Sequence, residues 1–506
     1  MTEGLARSWS IGLVGLAGHL VEVEADLAQG LPGLTVIGLP DTSVGEARDR
    51  VRSAIVNSGQ RWPSRRITLA LSPASVPKRG SGFDLALAAA VLAADGVVPP
   101  ESLVGRVLLG ELGLDGRVRP VAGVLPSLLT ALRAGVDRAV VPGANLAEAQ
   151  LLPGIAAAGV ATLTDLVRLL TGQDYDSGQP PPAVAPRAGA PAPDMADLVG
   201  QVAGRSAMEV AAAGGHHVLL LGPPGAGKTM LAERLPGLLP DLDLDAALDV
   251  TAIHSVAGLL AQGCPLVTRP PFQDPHHTAT VASVVGGGSG LARPGAATLA
   301  HRGVLFLDEA PEFKRGVLDA LRQPLESGRL SLTRVGGTAV YPARFTLVLA
   351  ANPCPCALAT CTCPPDSRRR YLARLSGPLL DRIDLHVSLG PVSTADLAGE
   401  PGEATAPIAA RVAEARARAA ARLRGTPWAT NADVPAVEVR RRWPLPAQAQ
   451  PPLDAALTSG LLTARGHARV VRVAWTLADL AGVDRPGSGE VYQALGFRLG
   501  HASVAA

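Results

Sequence analysis

The sequence predicts an α/β protein built around a parallel sheet, and three observations lead to this prediction. A complete phosphate-binding motif at 222–229 stands between an apolar strand and a helix. Two later apolar runs, at 304–307 and 345–351, each end in polar side chains, and open parallel sheets bind ligands at that end of their strands. A proline- and alanine-rich tract at 173–194 cannot build a core, so it divides the chain.

The chain therefore divides into three folded pieces. Residues 1–172 mix short β-like runs with helical ones, which predicts an α/β or α+β domain. The linker at 173–194 follows, and residues 195–390 then alternate strands and helices as a parallel sheet demands. A second loop-like stretch leads into residues 405–506, which are expected to be mostly helical.

Composition points to a soluble protein of the cytoplasm. The net charge of +2 gives no bulk electrostatic reason for nucleic-acid binding, so any basic surface must be local. No leader peptide is visible, and no run approaches 18 uninterrupted apolar residues, so membrane contact is not expected. Five cysteines, four of them within 354–363, do not resemble the disulfide framework of a secreted protein.

The phosphate-binding motif predicts a nucleoside triphosphate with Mg²⁺ as the ligand. It comprises Gly222, Pro223, Pro224, Gly225, Ala226, Gly227, Lys228 and Thr229. Lys228 is one of three lysines among 46 Lys and Arg residues, and a compact ammonium fits inside the phosphate loop where a planar guanidinium does not. Backbone N–H groups wrap the phosphates, and the Thr229 hydroxyl is expected to coordinate Mg²⁺.

Two further strand ends carry candidate catalytic groups. After the apolar run 304–307, Asp308 is expected to hold Mg²⁺ through water and Glu309 to polarise the attacking water. The alternative is an acidic helix cap, which the phosphate loop upstream disfavours. After the run 345–351, the Asn352 amide is a candidate to orient that water, and the alternative is a residue that starts a turn.

Several strings together resemble the AAA+ ATPases, in the magnesium-chelatase-like branch that includes the ComM (YifB) proteins. They are PFQDPHHTAT (271–280), GGGSGLARPGAATLAHRGVLFLDEAPEF (286–313), LRQPLESGRLSLTR (321–334), AANPCPC (350–356) and LSGPLLDRIDLHV (375–387). The resemblance spans almost the whole chain. It implies an AAA+ P-loop NTPase core with a helical C-terminal lid, and ATP with Mg²⁺ as cofactors.

The same resemblance implies two arginine roles. Arg382 resembles the arginine finger that reaches the γ-phosphate bound by a neighbouring subunit, and its alternative is a surface ion pair with Asp381 or Asp384. Arg465 resembles the sensor-2 arginine, although Arg469 and Arg472 follow one and two turns later on the same helix. A finger that acts on a neighbour implies a ring, expected to be a homo-hexamer.

Residues 1–172 resemble the Lon-protease domain, a ribosomal S5 domain 2-like fold. Alignment places Gly82 where the nucleophilic serine of that family belongs and Leu125 where its lysine belongs. Ser81 and Lys78 lie nearby in sequence but outside these positions. A serine without a base is not activated, so the domain is predicted to be non-proteolytic, with interaction or ring-organising work left to it.

The cysteine cluster is a candidate zinc site. Four cysteines form C-x-C-x₄-C-x-C, a spacing tighter than the usual zinc-binding pairs. The ligands would be Cys354, Cys356, Cys361 and Cys363. Free cytosolic thiols or a redox pair are the alternatives.

Two inserts are candidates to contact a substrate in the pore of a ring. One is residues 274–290, with His276 and His277, for which a structural turn is an equal alternative. The other is a hairpin at 330–341 that carries Arg334 before paired glycines, and an arginine near such a tip suits a phosphate backbone. Helix 408–423 also carries a row of arginines that either faces DNA or is a solvated face. They are Arg411, Arg416, Arg418 and Arg422.

The function expected from the resemblance is a hexameric AAA+ motor that acts on single-stranded or branched DNA. Helicase or branch-migration activity on recombination intermediates, in natural transformation or repair, follows from it, with recombination proteins as candidate partners. The alternative is a chelatase-type ATPase that remodels a partner complex for metal insertion. An ATP-dependent protease is disfavoured by the missing Ser–Lys dyad.

Overall fold

The computed structural model describes residues 4–38, 42–74, 78, 80–178, 193–260, 266–288, 293–334, 337–356, 358, 361–399 and 401–500. Most of the predicted linker, residues 75–77 and 79 beside Lys78, Cys264 and the first of the two hairpin glycines lie outside the described residues. The first part of the described chain, up to residue 178, forms one mixed sheet with its helices, and the longer second part forms a parallel sheet followed by a helical region.

The N-terminal region is a seven-stranded sheet in the order β3-β4-β2-β1-β5-β8-β9. Its strands are β1 (Leu5–Val14), β2 (Ala17–Ala28), β3 (Gly33–Ile37), β4 (Arg66–Ser72), β5 (Arg106–Leu108), β8 (Arg138–Pro142) and β9 (Ala156–Val160), with a separate β6 (Glu111–Leu112) and β7 (Val118–Arg119) pair. Its helices are α1 (Thr42–Asn57), α2 (Asp84–Ala94), α3 (Val124–Arg133), α4 (Leu146–Ala149) and α5 (Leu163–Leu170). The β1–β2 and β2–β4 pairs are antiparallel and the other four pairs are parallel.

Helix α2 is the central support of that region. Ten consecutive residues from Asp84 to Ala93 are buried, because the sequence there is almost entirely alanine, leucine and valine. The one charge, Asp84, is paired with Arg50 at 2.8 Å (Oδ2 to Nε) and accepts the Leu112 N–H. A buried carboxylate with these partners avoids most of the cost of desolvation.

The second part carries a five-stranded sheet in the order β11-β14-β17-β10-β18, and each neighbouring pair is parallel. Its strands are β10 (Val218–Leu221), β11 (Phe272–Gln273), β14 (Val304–Leu307), β17 (Thr346–Ala351) and β18 (Leu385–Ser388), with two hairpins formed by β12 (Gly286–Gly287) and β13 (Arg293–Pro294) and by β15 (Arg329–Arg334) and β16 (Gly337–Pro342). Its helices are α6 (Val202–Gly214), α7 (Lys228–Leu238), α8 (Leu244–Ala257), α9 (Val281–Val285), α10 (Ala296–Leu299), α11 (Arg315–Ala320), α12 (Arg322–Ser327), α13 (Pro365–Leu372), α14 (Gly377–Leu380) and α15 (Thr394–Leu397). The predicted parallel sheet is confirmed, and its inner strands β14 and β17 are wholly buried, which explains their uninterrupted apolar sequence.

The C-terminal region is helical, as predicted. It comprises α16 (Thr405–Arg422), α17 (Ala436–Arg442), α18 (Pro451–Thr458), α19 (Ala464–Ala481) and α20 (Ser488–Leu499). It shares one hydrophobic core with the parallel sheet, in which Val412 of α16 and Val473 of α19 pack with Ala211 of α6 and Leu385 of β18. The region is therefore attached along the β18 edge of the sheet.

The N-terminal region also packs directly on the second part. Ala252 of α8 belongs to the same apolar cluster as Leu125 and Leu128 of α3. At the boundary the buried Glu148 carboxylate accepts the Ser255 hydroxyl at 2.5 Å and the Leu125 N–H at 2.8 Å. Burial raises the pKa of Glu148, against the opposing effect of these hydrogen bonds. The contact joins the two parts by both apolar and polar interactions.

Across the described residues, none of the helices combines the length and the apolar character needed to span a lipid bilayer.

Candidate active site

The phosphate loop joins the end of β10 to the start of α7. Gly225 and Gly227 have φ of 77° and 79°, a left-handed conformation that favours glycine, and the helix begins at Lys228. A side chain at either position would be strained by the backbone, whatever space it found. The tight turn therefore leaves the first N–H groups of α7 directed at whatever lies in the loop, which is an arrangement that binds phosphate.

Lys228 is buried within this loop and its ammonium is fully used. Nζ donates to the Gly222 carbonyl at 2.7 Å, the Pro223 carbonyl at 2.9 Å and the Asn352 Oδ1 at 2.9 Å. Burial lowers the pKa of Lys228, and the nearby Asp308 and Glu309 carboxylates oppose that shift. Three acceptors thus hold the charge at the point where the motif places the β- and γ-phosphates.

A hydroxyl and a carboxylate meet beside the lysine. The Thr229 Oγ1 donates to the Asp308 Oδ2 at 2.9 Å, and the other oxygen of Asp308 accepts the Glu309 N–H at 2.8 Å. Mg²⁺ prefers oxygen ligands and keeps several waters, so one hydroxyl and one carboxylate beside a phosphate site fit it. Thr229 and Asp308 are the residues that would hold the ion.

Glu309 has an unusual backbone and a partner that the sequence analysis did not identify. Its φ of 49° and ψ of 43° are left-handed, which is uncommon for a residue with a side chain. Its Oε2 lies 3.1 Å from His277 Nδ1, and the His276 ring lies 4.1 Å from the His277 ring between centroids. Both histidines lie in the segment predicted to be a pore insert or a structural turn, and His277 also lies against the candidate base.

Asn352 follows β17, which lies between β14 and β10 in the sheet. The order of the strands therefore brings the residues after three of them together, and the side chain of Asn352 is buried against the Lys228 ammonium. Lys228, Thr229, Asp308, Glu309 and Asn352 form one continuous site at the carboxyl edge of the sheet. The role of Asn352 in orienting water remains a prediction.

Arg382 and Arg465 lie at the opposite edge. A cavity of ≈ 780 Å³ there is lined by His217, Gly303 and Phe345, the residues that precede β10, β14 and β17, and by both arginines. The phosphate loop follows β10, and a four-residue strand spans on the order of 13 Å at roughly 3.3 Å per residue. The two arginines are therefore separated from the nucleotide site of their own chain by the depth of the sheet.

The two arginines differ in exposure. The side chain of Arg382 is 12% exposed, with Nη2 paired to Glu326, Nη1 donated to the Pro378 carbonyl, and a buried Nε without a partner in the described residues. Burial, and then the neighbouring Arg322, Arg469 and Arg465 charges, lower the pKa of Arg382. Arg465 is 77% exposed and lies 3.7 Å from the Asp381 carboxylate. The ion-pair alternative for Arg382 thus involves Glu326, not Asp381 or Asp384.

The cavity carries an excess of positive charge. Seven arginines line it against five carboxylates. Arg469 is committed to the buried Asp384 at 2.5 Å, and Asp384 also contacts His216 at 3.1 Å. Although burial opposes it, the charges of Arg469 and His216 hold the pKa of Asp384 well below the usual range of an aspartate. Arg469 therefore forms a structural ion pair with Asp384. Of the two arginines, the exposed Arg465 is the better candidate to contact a ligand.

The arginines of α16 contact groups of their own chain. Arg411 and Arg418 nevertheless keep 41% and 43% of their side-chain surface exposed, so a row that faces DNA or solvent stays a prediction. Arg411 pairs with Glu209 at 2.7 Å and Glu403 at 2.6 Å, and Arg416 donates to the Ala212 carbonyl at 2.8 Å. The other two contact Asp479. Arg418 donates to the backbone carbonyl of Asp479 at 2.6 Å, and Arg422 pairs with the Asp479 carboxylate at 2.5 Å. Helical periodicity could not reveal these contacts because each partner lies on another helix or in the segment before α16.

In the N-terminal region, Ser81 and Lys78 have separate partners. Ser81 Oγ contacts the Glu111 carboxylate, and Lys78, which is buried, donates to the Pro73 carbonyl. Leu125 lies in the apolar core. Within the described residues these contacts offer no serine–lysine pair.

The four cysteines of the predicted zinc site come together directly after Asn352. Their Sγ atoms all lie within 4.8 Å of one another. The predicted ligands are therefore neighbours in space as well as in sequence.

Comparison with known proteins identifies the family. Models of magnesium chelatase subunit ChlI match residues 194–397 and residues 23–145, and a model of the C-terminal part of that subunit matches residues 402–498. An uncharacterised protein of Mycobacterium tuberculosis, Rv2897c, is 54% identical over 498 residues, 98% of each chain. YifB of Escherichia coli is 41% identical over 466 residues, 91% of this chain and 90% of YifB. The competence protein ComM of Haemophilus influenzae is 38% identical over 502 residues, 98% and 97% of the two chains.

The chain belongs to the magnesium-chelatase-like AAA+ family that includes ComM and YifB. Family membership implies ATPase chemistry with ATP and Mg²⁺, and the site at the carboxyl edge of the sheet fits both. A partial match to the Lon protease of Salinispora arenicola, 32% identical over 171 residues, covers 32% of this chain and 22% of that protein. It agrees with an AAA+ core joined to a Lon-like domain.

Proposed function

We propose that this chain is an ATP-driven motor that works as a homo-hexamer on single-stranded or branched DNA. In the proposal, ATP hydrolysis drives helicase or branch-migration activity on recombination intermediates, in natural transformation or in recombinational repair, with recombination proteins as partners. The name of the H. influenzae relative, a competence protein, supports the transformation role.

The observation that carries the ring is the separation of Arg382 and Arg465 from their own phosphate loop. An arginine that stabilises the transferring phosphoryl group must reach the γ-phosphate. Both side chains line a cavity at the amino edge of the sheet, whereas Lys228 lies at the carboxyl edge. If the amino edge of one protomer meets the carboxyl edge of the next, each nucleotide gains its cationic partner from a neighbour. Such head-to-tail contacts form a ring when the rotation between protomers closes.

Each residue of the site then has one task. Lys228 and the loop N–H groups bind the phosphates, while Thr229 and Asp308 hold Mg²⁺. Glu309 accepts a proton from the attacking water as it is oriented by Asn352, and Arg382 of the neighbouring protomer neutralises charge on the γ-phosphate. For the last step Arg382 must release Glu326, its partner in the isolated chain.

The proposal is tested by DNA-dependent turnover. Purified protein is assayed for ATP hydrolysis alone and with single-stranded, duplex and four-way DNA, and for displacement of a labelled strand. We expect DNA to stimulate hydrolysis and branched DNA to be resolved in an ATP-dependent manner. Glu309→Gln should bind ATP without turnover and assemble rings visible by electron microscopy. Absence of both stimulation and unwinding would exclude the DNA motor.

A second candidate is a chelatase-type ATPase that remodels a partner complex for metal insertion. It is favoured by the three family models, each of which describes subunit ChlI of magnesium chelatase. That function predicts hydrolysis that is indifferent to DNA and stimulated by partner subunits. The same DNA titration therefore separates the two candidates.

A further inference from the structure

The sulfur atoms of the four clustered cysteines are close enough together to bind a single metal ion. All four Sγ atoms lie within 4.8 Å of one another, and Cys354 and Cys356 approach to 3.0 Å. Zinc bound to thiolates at about 2.3 Å in a tetrahedron places its sulfurs roughly 3.8 Å apart. That value lies between the 3.0 Å approach of Cys354 to Cys356 and the 4.8 Å within which all four sulfurs lie. Among the described residues, no other cluster of three or more His, Cys, Asp or Glu side chains is arranged to hold a metal ion.

The surroundings of the thiols suit a closed, structural site. The Cys354 side chain is buried, and the other three cysteines are partly buried. The Cys363 N–H points at the Cys361 sulfur at 3.4 Å, which is the kind of hydrogen bond that stabilises a metal-bound thiolate. With four protein ligands the coordination sphere of zinc is complete, so no position is left for a substrate.

We propose that Cys354, Cys356, Cys361 and Cys363 bind one structural zinc ion that fixes the loop between β17 and α13. Zinc suits this set because soft thiolates in a tetrahedral arrangement select zinc or iron–sulfur centres. Two C-x-C pairs supply the ligands from one short loop. Binding therefore needs no rearrangement elsewhere in the fold.

The loop joins two parts of the nucleotide site. Asn352 stands two residues before Cys354, and Cys363 stands two residues before α13. Just after α13, Arg374 donates to the Glu312 carboxylate at 2.8 Å and to the Pro311 carbonyl at 3.3 Å, in the turn that follows Glu309. An ion in the loop would thus fix the water-orienting amide and, through Arg374, the segment that follows the candidate base. The metal acts as a positioning element and not as a catalyst.

This position predicts which step depends on the metal. The N–H groups that bind phosphates lie between β10 and the start of α7, and Lys228, although it donates to Asn352, is also held by the Gly222 and Pro223 carbonyls. Removing zinc should therefore leave nucleotide affinity nearly unchanged and lower ATP turnover by roughly 10- to 100-fold, the usual cost of disturbing the groups around a site.

The first experiment is metal analysis of the full-length protein purified under reducing conditions without chelators. We expect about one zinc per chain, as for a tetrathiolate structural site. Cys361→Ser should lose the metal, whereas Cys264→Ser, a cysteine outside the cluster, should keep it. Metal-free protein titrated with Co²⁺ should give the visible d–d and thiolate charge-transfer bands of a tetrahedral tetrathiolate centre, a readout that does not depend on the stability of any variant.

Three results would overturn the proposal. They are wild-type protein that holds no zinc and gives no tetrahedral cobalt spectrum, protein that holds iron and sulfide in place of zinc, and Cys361→Ser that retains a full complement of zinc. None of these measurements uses DNA, so the zinc site and the DNA motor can fail independently. Nucleotide affinity and turnover measured on the metal-free and reloaded wild-type protein then test the positioning role.

Discussion

The two edges of the parallel sheet differ in how complete they are. At the carboxyl edge, the residues that follow β10, β14 and β17 form a cradle in which Lys228 donates to Asn352 and Thr229 donates to Asp308. At the amino edge, the residues that precede the same strands line a cavity with more arginines than carboxylates. The polar groups of the carboxyl edge are paired within a single chain, whereas the cavity at the amino edge has more positive than negative side chains.

This difference indicates where additional positive charge for a bound triphosphate would come from. A triphosphate in the cradle brings several negative charges to the buried Lys228 ammonium. Neither the exposed Arg465 nor Arg382, which is paired with Glu326, can reach a triphosphate in the cradle of its own chain, because the sheet lies between them. In the proposed ring, a second copy would supply the complementary charge by setting its amino edge against the cradle. Substitutions at one edge of the sheet at a time separate the contributions of the two edges.

The largest effect is expected at the carboxyl edge. Lys228→Ala removes the ammonium that contacts the β- and γ-phosphates, so nucleotide binding and turnover should both be lost. A titration with fluorescent ATP measures the binding, and the exposed Lys314→Ala serves as the matched control. Normal affinity in Lys228→Ala would show that the cradle is not the nucleotide site.

The next effect is expected at the amino edge. Arg382→Ala should bind ATP normally and lose roughly 10³–10⁵ in turnover, as when an arginine finger is removed from related phosphoryl-transfer enzymes. Arg344→Ala removes an exposed arginine from the same cavity and should be nearly neutral. Equal losses in the two variants would point to the general charge of the cavity and away from a dedicated residue.

A third change separates structure from chemistry at the amino edge. Asp384→Asn leaves Arg469 without its buried counterion, and breaking such a pair costs about 3–5 kcal/mol of folding free energy. The pKa of Asp384 is depressed in the folded protein, so its contribution is present above the pKa of an unfolded aspartate and is lost as the pH falls through the folded value.

Chemical denaturation as a function of pH checks this. Wild type and Asp384→Asn should differ in stability at neutral pH, and the gap should narrow as acid protonates Asp384. A gap that is constant down to strongly acidic pH would contradict the assigned ion pair.

The smallest effect is expected at the pair formed by His277 and Glu309. His277→Ala removes the imidazole whose Nδ1 lies 3.1 Å from the carboxylate, and turnover is expected to fall roughly tenfold, about 1.4 kcal/mol, with ATP affinity unchanged. His276→Ala is the control, because it removes the adjacent ring and its contacts with Thr278 and leaves the pair formed by His277 and Glu309 in place. Steady-state turnover in both variants gives the comparison, and wild-type rates in His277→Ala would remove it from the site.

Local sequence was enough to predict the carboxyl edge, because each of its groups directly follows an apolar strand or lies within a contiguous motif. Asp308 and Asn352 could be placed at the same edge since parallel strands end on one side. The partner of Glu309 could not be predicted, because His277 follows β11 and meets Glu309 only through the pairing of β11 with β14. The contacts of Arg411 and Arg416 could not be predicted either, because their partners on α6 are distant in sequence.

The most direct test of a nucleotide site shared between protomers is to mix two inactive variants. Lys228→Ala keeps the arginine but has no cradle, whereas Arg382→Ala keeps the cradle but has no arginine. Sharing predicts that a mixture of the two hydrolyses ATP, since mixed assemblies contain an intact cradle facing an intact Arg382. If the mixture is as inactive as either variant alone while Arg382→Ala still binds ATP and co-assembles with Lys228→Ala, then the two edges do not meet across a subunit boundary.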